Sequence, residues 1–174
     1  ILFYGHQKCK PDEYFDGTNL RKNDILYYVL DGKGTFNSSG HHVAKLAKGD
    51  LFLVPRSRTC YFEADHDNPW EYFWIGLSGA GTNEMIKASN LPNKNFLRQI
   101  QKTEFFETLK ELYSTLNEDS SLLNNVKIAS LTYQLFYHLI DEFPNHPSIR
   151  KTPKIDQYQI AIDYLNKNYT DPTC

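Results

Sequence analysis

The residues from Gly49 to Gly79 form short apolar runs separated by polar and glycine-containing turns, and this pattern constrains the fold more than any other part of the sequence. Such runs are typical of β-strands joined by tight turns. The pattern predicts three strands, over Leu51–Val54, Thr59–Ala64 and Trp70–Leu77. A polar hinge at Asp65–Pro69 precedes the last of them. The chain is therefore expected to be organised around an antiparallel β-structure.

The predicted strand Trp70–Leu77 has two different faces. Successive side chains of a strand point to opposite faces of its sheet. One face carries large rings with O–H and N–H groups, those of Trp70, Tyr72 and Trp74. The opposite face is purely apolar, with Phe73, Ile75 and Leu77. Rings that also hydrogen-bond suit a pocket for a flat or sugar-like ligand, although a sandwich core rich in Tyr and Trp fits the same pattern.

The same rhythm of short strands and glycine turns extends towards the N-terminus. Asp31-Gly32 is a strong hairpin signal between two apolar runs. The predicted strands are Ile25–Leu30, Gly34–Asn37 and His42–Leu46. Residues 1–22 are expected to form an arm with a short strand near Leu2–Gly5. Many short strands with regular turns predict an all-β sandwich or barrel over residues 1–80.

After Gly79 the apolar residues recur with a helical period. A short helix is predicted over Thr82–Ser89, and a longer one over Thr103–Asn117, with Thr103 as its N-cap. A third helix is predicted to begin at Ser120 or Ser121. Pro144 ends this helix after Phe143, because proline cannot continue a helix.

The third predicted helix carries two apolar stripes. One follows heptad spacing, which is typical of helix pairing, and consists of Leu122, Val126, Ala129, Tyr133, Phe136 and Ile140. The other consists of Ile128, Leu131, Leu135 and Leu139. A helix that covers only its own domain needs one stripe, so two stripes predict a homodimer through the heptad face. A fully buried helix inside a monomer is the alternative.

Composition and motifs exclude several classes of protein. The formal net charge is −2, which does not favour binding of a polyanion by this part of the chain. Three well-separated cysteines indicate reduced thiols and a cytoplasmic location. No apolar run approaches the roughly 20 residues that span a bilayer, so no membrane partner and no signal peptide are expected. No nucleotide-binding or hydrolase motif is present, so no catalytic residue is predicted.

The C-terminal part is expected to be a linker followed by a further helix. Residues 144–154 contain three prolines and four basic side chains, which is typical of a linker. Residues 155–169 return to an amphipathic helical pattern. Because this helix has nothing left to pack against, residues 155–174 are interpreted as the truncated start of another domain.

Several motifs, taken in their order and spacing, resemble one known family over nearly the whole chain. They are YGHQKC at 4–9, Arg21, YYVLDGKGTF at 27–36, KGDLFLVP at 48–55, YFEAD at 61–65 and NPWEYFWIGLSG at 68–79. The chain resembles a cupin-type barrel and, more narrowly, the effector-binding and dimerisation part of AraC-family transcription regulators. Within that family it resembles the branch controlling the use of plant oligosaccharides and α-galactosides. The tail, IAIDYLNKNYTDP at 160–172, resembles the first helix of the family's DNA-binding unit.

The resemblance implies a fold and a ligand site. The implied fold is α+β, a cupin-like β-barrel of jelly-roll type followed by a helical dimerisation pair at 81–143. The implied function is sugar sensing by a dimeric regulator that binds DNA only through a C-terminal domain missing from this chain. The family's sugar-contacting positions correspond to Arg21, Tyr61, Trp70, Tyr72 and Trp74. Tyr72 replaces the histidine of the arabinose regulator, which implies a different or larger sugar.

The resemblance also bears on metal binding and on competing functions. The metal-ligand positions of cupins fall near 18–21, at Ile25 and at Cys60, where neither His nor Glu occurs, so no metal and no cofactor are expected. A metal-independent cupin enzyme acting on a sugar is the main alternative to a sensor. A purely structural dimer module, which would bind no small molecule, is a third possibility.

Overall fold

A computed structural model describes residues 3–17, 21–38, 43–79 and 81–145. Two antiparallel sheets face each other, and helices cover the outside of one of them. The strands are β1 (Phe3–Lys8), β2 (Tyr14–Phe15), β3 (Asp24–Asp31), β4 (Lys33–Ser38), β5 (Ala44–Ala47), β6 (Leu51–Val54), β7 (Cys60–Ala64), β8 (Glu71–Leu77) and β9 (Phe96–Leu97). The predicted α+β class, a β-sandwich followed by helices, is confirmed.

The order of the strands explains how the barrel closes. The first sheet has the order β1-β8-β3-β6-β9 and the second has the order β2-β7-β4-β5. Most consecutive strands therefore lie in different sheets, as in jelly-roll folds, where connections cross from sheet to sheet. The exceptions are β4 and β5, which pair with each other, and β8 and β9, which both belong to the first sheet. The strand with the pocket-like face, β8, lies inside the first sheet between β1 and β3.

The alternation of side chains along β8 creates two separate cores. Phe73, Ile75 and Leu77 pack outwards with residues of the helices. Trp70, Tyr72 and Trp74 lie on the other side, in the interior between the two sheets. The predicted separation of the two faces of this strand is therefore confirmed.

The N-terminal arm is part of the barrel. β1 pairs with β8 of the first sheet, and β2 pairs with β7 of the second sheet. Between them, the buried Cys9 donates its backbone N–H to the carbonyl oxygen of Trp70 at 3.1 Å. The strand predicted near Leu2–Gly5 thus extends to Lys8, and the short strand β2 was not predicted.

Three helices, α1 (Thr82–Ala88), α3 (Glu104–Leu116) and α4 (Leu122–Glu142), begin and end close to their predicted positions. The short helix α2 (Leu91–Lys94) and a 3₁₀ turn at Ile100–Lys102 were not predicted. The Thr103 side chain accepts a hydrogen bond from the Phe106 backbone N–H, and Ser121 accepts one from that of Asn124. Both predicted N-caps are confirmed, because each side chain satisfies a helix donor that lacks a backbone partner.

A hydrogen-bonded clasp holds the end of α4. The Asn90 backbone N–H donates to the carbonyl oxygen of Phe143 at 2.7 Å, and that of Asn145 donates to Ala88 at 2.9 Å. The Asn145 side chain also donates to the carbonyl oxygen of Lys87 at 3.2 Å. The chain therefore leaves α4 from a fixed position beside α1 and α2.

The short strand β9 returns the helical segment to the first sheet, and a buried carboxylate secures it. Asp50 is 1% exposed and accepts hydrogen bonds from the backbone N–H groups of Ala47 and Gln99, each at 3.0 Å. Arg98 donates to the same carboxylate at 2.8 Å. Sequence patterns did not predict β9, because two residues are too few to show a period.

No helix within the described ranges is both long enough and apolar enough to cross a bilayer.

Two predicted segments lie outside the described residues. They are the linker at 144–154, apart from its first two residues, and the helix at 155–169.

Candidate ligand-binding site

Aromatic rings fill much of the interior between the sheets. Tyr27 on β3 stacks on Phe52 on β6, with ring centroids 4.8 Å apart. Tyr72 meets Tyr27 edge to face at 5.3 Å, and Phe62 on β7 lies 5.2 Å from Tyr27. These contacts follow from the registers of β3, β6 and β8, which bring alternate residues to the same face. Offset and edge-to-face pairs of this kind stabilise an aromatic cluster beyond its buried area.

Trp74 lies at the margin of this cluster and is half-buried. Its ring is 6.0 Å from both Tyr27 and Tyr72. On its other side it covers Gly5 of β1, the residue paired with it across the strands. A methyl group at Gly5 would overlap the indole, so glycine at this position allows the ring to lie over β1.

A cation and a further ring lie beside the cluster. The Phe15 ring of β2 stacks on Phe62 at 4.8 Å. The guanidinium carbon of the exposed Arg21 lies 4.8 Å from the centroid of the Phe15 ring, a distance typical of a cation–π contact. Arg21 and Phe15 thus stand where the interior meets solvent. We call Phe15, Arg21, Tyr27, Tyr72 and Trp74 the barrel mouth.

Burial further favours the neutral form of the phenols at the barrel mouth, which is already the form of tyrosine at neutral pH. Burial raises the pKa of Tyr27 to about 12, although the nearby Arg21 charge acts in the opposite direction. Burial also raises the pKa of Tyr72, as does its hydrogen bond with the Cys9 thiol. The pKa of Cys9 is likewise raised, chiefly by burial. At neutral pH both tyrosines therefore keep an O–H that donates and accepts hydrogen bonds.

The structure brings three of the predicted site residues together and separates two others from them. Arg21, Tyr72 and Trp74 lie at the barrel mouth. Trp70 is 0% exposed and stacks on Phe52 at 5.6 Å, so it forms part of the packed interior. Within the described residues its indole N–H makes no hydrogen bond of ordinary geometry, and it lies beside the Cys9 thiol, where it partly offsets the rise in pKa that burial causes.

Tyr61 does not reach the interior, and that prediction is wrong. The burial of β7 alternates, with Cys60, Phe62 and Ala64 inside and Tyr61 and Glu63 outside. Tyr61 is 46% exposed on the outer face of the second sheet. A strand turns only every second residue inwards, so Phe62 occupies the interior in its place.

Phe15, Tyr27 and Phe62 were not predicted as site residues. The signal that identifies Tyr27 is its place opposite Trp74 in the β3–β8 register, which a single sequence does not contain. The hairpin predicted at Asp31-Gly32 is wrong, because β3 and β4 lie in different sheets and β3 pairs with β6 and β8 instead. Phe15 could not be found from periodicity, because β2 has only two residues.

The predicted dimer face of α4 is mostly exposed. Leu122, Val126 and Tyr133 are 81%, 60% and 69% exposed, and Ala129 is exposed as well. Tyr137, 64% exposed, continues this surface. We call Leu122, Val126, Ala129, Tyr133 and Tyr137 the α4 ridge. The second stripe packs inwards, with Leu131, Leu135 and Leu139 buried in the outer core.

Two residues of the predicted dimer face, Phe136 and Ile140, are not exposed like the others. Phe136 is 3% exposed and packs in the core of its own subunit. The prediction that Phe136 belongs to the dimer face is therefore wrong. Ile140 is half-buried. The physical reason is that α1 packs against one flank of α4, so residues on that flank are covered although they keep heptad spacing.

The described residues contain no group of three or more His, Cys, Asp or Glu side chains placed to hold a metal ion. Ile25 and Cys60, two of the positions that correspond to cupin metal ligands, both lie in the apolar interior. The chemistry of the barrel mouth is therefore that of aromatic rings, neutral hydroxyls and one guanidinium.

Comparison with known proteins places this fold and site in a family. The family described as "AraC-like ligand binding domain" matches residues 1–136. The raffinose operon transcriptional regulatory protein RafR of Pediococcus pentosaceus is 38% identical over 98% of this chain and 62% of its own length. The lactose operon transcription activator of Staphylococcus xylosus is 27% identical over 91% of this chain and 57% of its own length.

One solved structure has a similar fold although its sequence is very different. ToxT from Vibrio cholerae has a TM-score of 0.53 at 10% identity, covering 98% of this chain and 66% of that one. The chain spans less than two thirds of the length of RafR and of the lactose operon transcription activator. The family match covers both sheets and most of the helical segment, and it agrees with the architecture described above. The chain belongs to the family of AraC-like ligand-binding domains.

Proposed function

We propose that the chain is the sugar-sensing, dimerising part of a cytoplasmic transcription regulator that controls carbohydrate utilisation. The observation that carries this proposal is the barrel mouth, where Tyr27, Tyr72 and the half-buried Trp74 cluster, with the Arg21 guanidinium beside them over the Phe15 ring. The names of the relatives, which are regulators of raffinose and lactose operons, support the regulatory role. They favour a sensor over a cupin enzyme acting on a sugar.

The groups of the barrel mouth suit a pyranose. The ring of Trp74 can stack on the apolar C–H face of a sugar. The planar fork of Arg21 can donate to two neighbouring hydroxyls, and the hydroxyls of Tyr27 and Tyr72 can donate or accept. A sugar with a misplaced hydroxyl would leave some of these groups without a partner, and that loss provides selectivity.

To bind DNA, the proposed regulator would need a domain in addition to the barrel and the helical segment. We assign residues 1–80 to the barrel, 81–143 to the helical segment, 144–154 to a linker and 155–174 to the start of a DNA-binding domain. The net charge of −2 fits a sensing part that leaves DNA contacts to that domain. For the sugar to regulate, it must bind one conformation of the protein more tightly than another.

Sugar binding is expected to change the fluorescence of the protein. The chain contains two tryptophans, and Trp74 stands at the barrel mouth. Titration with raffinose, lactose and galactose should therefore give a saturable change in emission with at least one sugar, in the absence of added metal. Mannitol serves as an acyclic control. Unchanged emission and an unchanged melting temperature with all of them would contradict the proposal. Chemical conversion of the bound sugar would favour the enzyme alternative.

A second copy of the chain is proposed to cover the α4 ridge. The ridge exposes large apolar side chains along most of a helix of 21 residues, and such surfaces usually mark interaction sites. A two-fold pair is the commonest solution for a self-complementary surface. The opposite stripe of α4 packs in the outer core, and the α4 ridge shares no residue with the barrel mouth.

Charges on the α4 ridge are expected to give monomers. The double variant Val126→Glu, Ala129→Glu would bury like charges at the centre of the pair, whereas both sites are exposed in one subunit. Sedimentation should show a dimer for the wild type at micromolar concentration and a folded monomer for the variant. Ser114→Glu, an exposed site on α3, is the control and should remain dimeric. A monomeric wild type, or a dimeric double variant, would show that the interface is elsewhere.

A further inference from the structure

The outer face of the second sheet carries a groove that lies beside the barrel mouth. Its volume is about 440 Å³. Three exposed side chains stand out in its lining, because Tyr14, Val43 and Tyr61 are 72%, 61% and 46% exposed. Hydrogen-bonding groups lie between them, from Thr35, Asn37 and Glu63. We call these six residues the outer groove.

The strand registers bring the outer groove together. Tyr14 of β2 is paired with Glu63 of β7, and Glu63 is paired with Thr35 of β4. Tyr61 is paired with Asn37. Directly paired residues of antiparallel strands point to the same face. Residues from three neighbouring strands therefore form one continuous surface.

The polar groups of the outer groove are available to a ligand. Among the residues that the structure describes, no side-chain hydrogen bond or ion pair engages Thr35, Asn37 or Glu63. Together they offer a hydroxyl, a carboxamide and a carboxylate beside two tyrosine rings. Rings flanked by such groups fit a molecule with apolar C–H faces and hydroxyl edges better than they fit an apolar protein surface, which would leave the polar groups unpaired.

The outer groove adjoins the barrel mouth at β2. Phe15 contributes to the lining of the groove, and its ring also stacks on Phe62 of the interior and faces the Arg21 guanidinium. The preceding residue, Tyr14, lies on the outer face of the second sheet. A ligand held at Arg21 and Phe15 can therefore extend past the two-residue strand β2 towards Tyr14 and Tyr61.

We propose that the outer groove is a second carbohydrate subsite, which holds further rings of an oligosaccharide whose first ring occupies the barrel mouth. This inference rests on the proposed function. The relatives named for raffinose and lactose operons act on genes for sugars of more than one ring, in agreement with a site longer than one pyranose. Tyr14 and Tyr61 supply the stacking surfaces, and Asn37 and Glu63 bind hydroxyls.

The test compares sugars of different length on the same variants. Raffinose and galactose are titrated by calorimetry into the wild type, Tyr61→Ala and Tyr14→Ala. Both residues are exposed, so the variants should fold. Losing one stacking ring is expected to weaken raffinose binding about two- to tenfold, with galactose binding unchanged. Tyr4→Ala is the matched control, because it removes a tyrosine that is 41% exposed and that lies against Tyr113 of α3, outside the outer groove, the barrel mouth and the α4 ridge. It should bind both sugars like the wild type.

The outcomes separate this inference from the proposed function. Wild-type binding of raffinose with equal affinity in both groove variants would overturn the outer subsite and leave the barrel mouth intact. Equal weakening of raffinose and galactose would also overturn it, because the groove would then not be specific for further rings. If the wild type binds neither sugar nor lactose, the proposed function fails, and the subsite fails with it.

Discussion

Replacing Trp70 by alanine is expected to lower the free energy of unfolding by about 3–5 kcal/mol, the usual cost of removing a buried tryptophan. Trp70 is 0% exposed and has ring contacts with Phe52 at 5.6 Å, Tyr72 at 5.8 Å and Phe62 at 6.1 Å. The surrounding rings are rigid, so a cavity would remain. Urea denaturation should show the loss as a lower midpoint.

Trp70→Phe is the matched variant. It keeps a ring against Phe52 and removes an indole N–H whose polar neighbour, the Cys9 thiol, is only a weak acceptor. The expected loss is therefore smaller, about 1–2 kcal/mol. If Trp70→Ala unfolds at the same urea concentration as the wild type, the ring is not part of a packed interior. In that case Trp70 would again be a candidate for direct contact with a ligand.

Trp74→Ala is expected to weaken binding of the sugar identified in the fluorescence titration by about ten- to hundredfold, or about 1–3 kcal/mol. Trp74 is the half-buried ring of the barrel mouth, so its loss removes the surface on which a sugar would stack. Since the variant also removes the main fluorescent reporter, affinity should be measured by calorimetry. The variant should stay folded, because part of this ring already faces solvent.

Phe73→Leu is the control on the adjacent residue. Phe73 points to the helices, where it stacks on Tyr113 of α3 at 4.2 Å. This variant should lower stability by about 1 kcal/mol and leave sugar affinity nearly unchanged. Normal binding by Trp74→Ala together with lost binding by a folded Phe73→Leu would mean that the ligand lies on the helix side of β8.

Local patterns were sufficient to predict most of the longer elements of this fold. Each strand from β3 to β8 has Gly, Pro, Asn or Asp within two residues of at least one end, and the caps Thr103 and Ser121 identify two helix starts. The assignment of Phe73 and Trp74 to opposite faces needed only the period of a strand. These features depend on residues close together in sequence, so a single chain contains the necessary information.

The errors concern relations between distant segments. Tyr61 was matched to a family position, yet the inward register of β7 is set by its pairing with β4, which brings Phe62 rather than Tyr61 inside. Phe136 kept heptad spacing, but the packing of α1 beside α4 decides which flank of the helix is covered. Neither pairing leaves a periodic signal in the sequence. The same holds for the approach of β2 to β7, which completes the barrel mouth.

The clasp between Phe143–Asn145 and the segment after α1 has a consequence for whatever the chain carries beyond it. The proposed linker starts at a defined point rather than at a frayed helix end. The distance that a module attached to it can reach is therefore determined by the number of linker residues. The nine residues from 146 to 154 would span at most about 30 Å if fully extended. Within that radius the local concentration of an attached module is high, and outside it the concentration falls to zero. In the proposed dimer, insertions or deletions within the proposed linker would therefore alter the spacing at which the two proposed DNA-binding modules act together, with no change in the barrel.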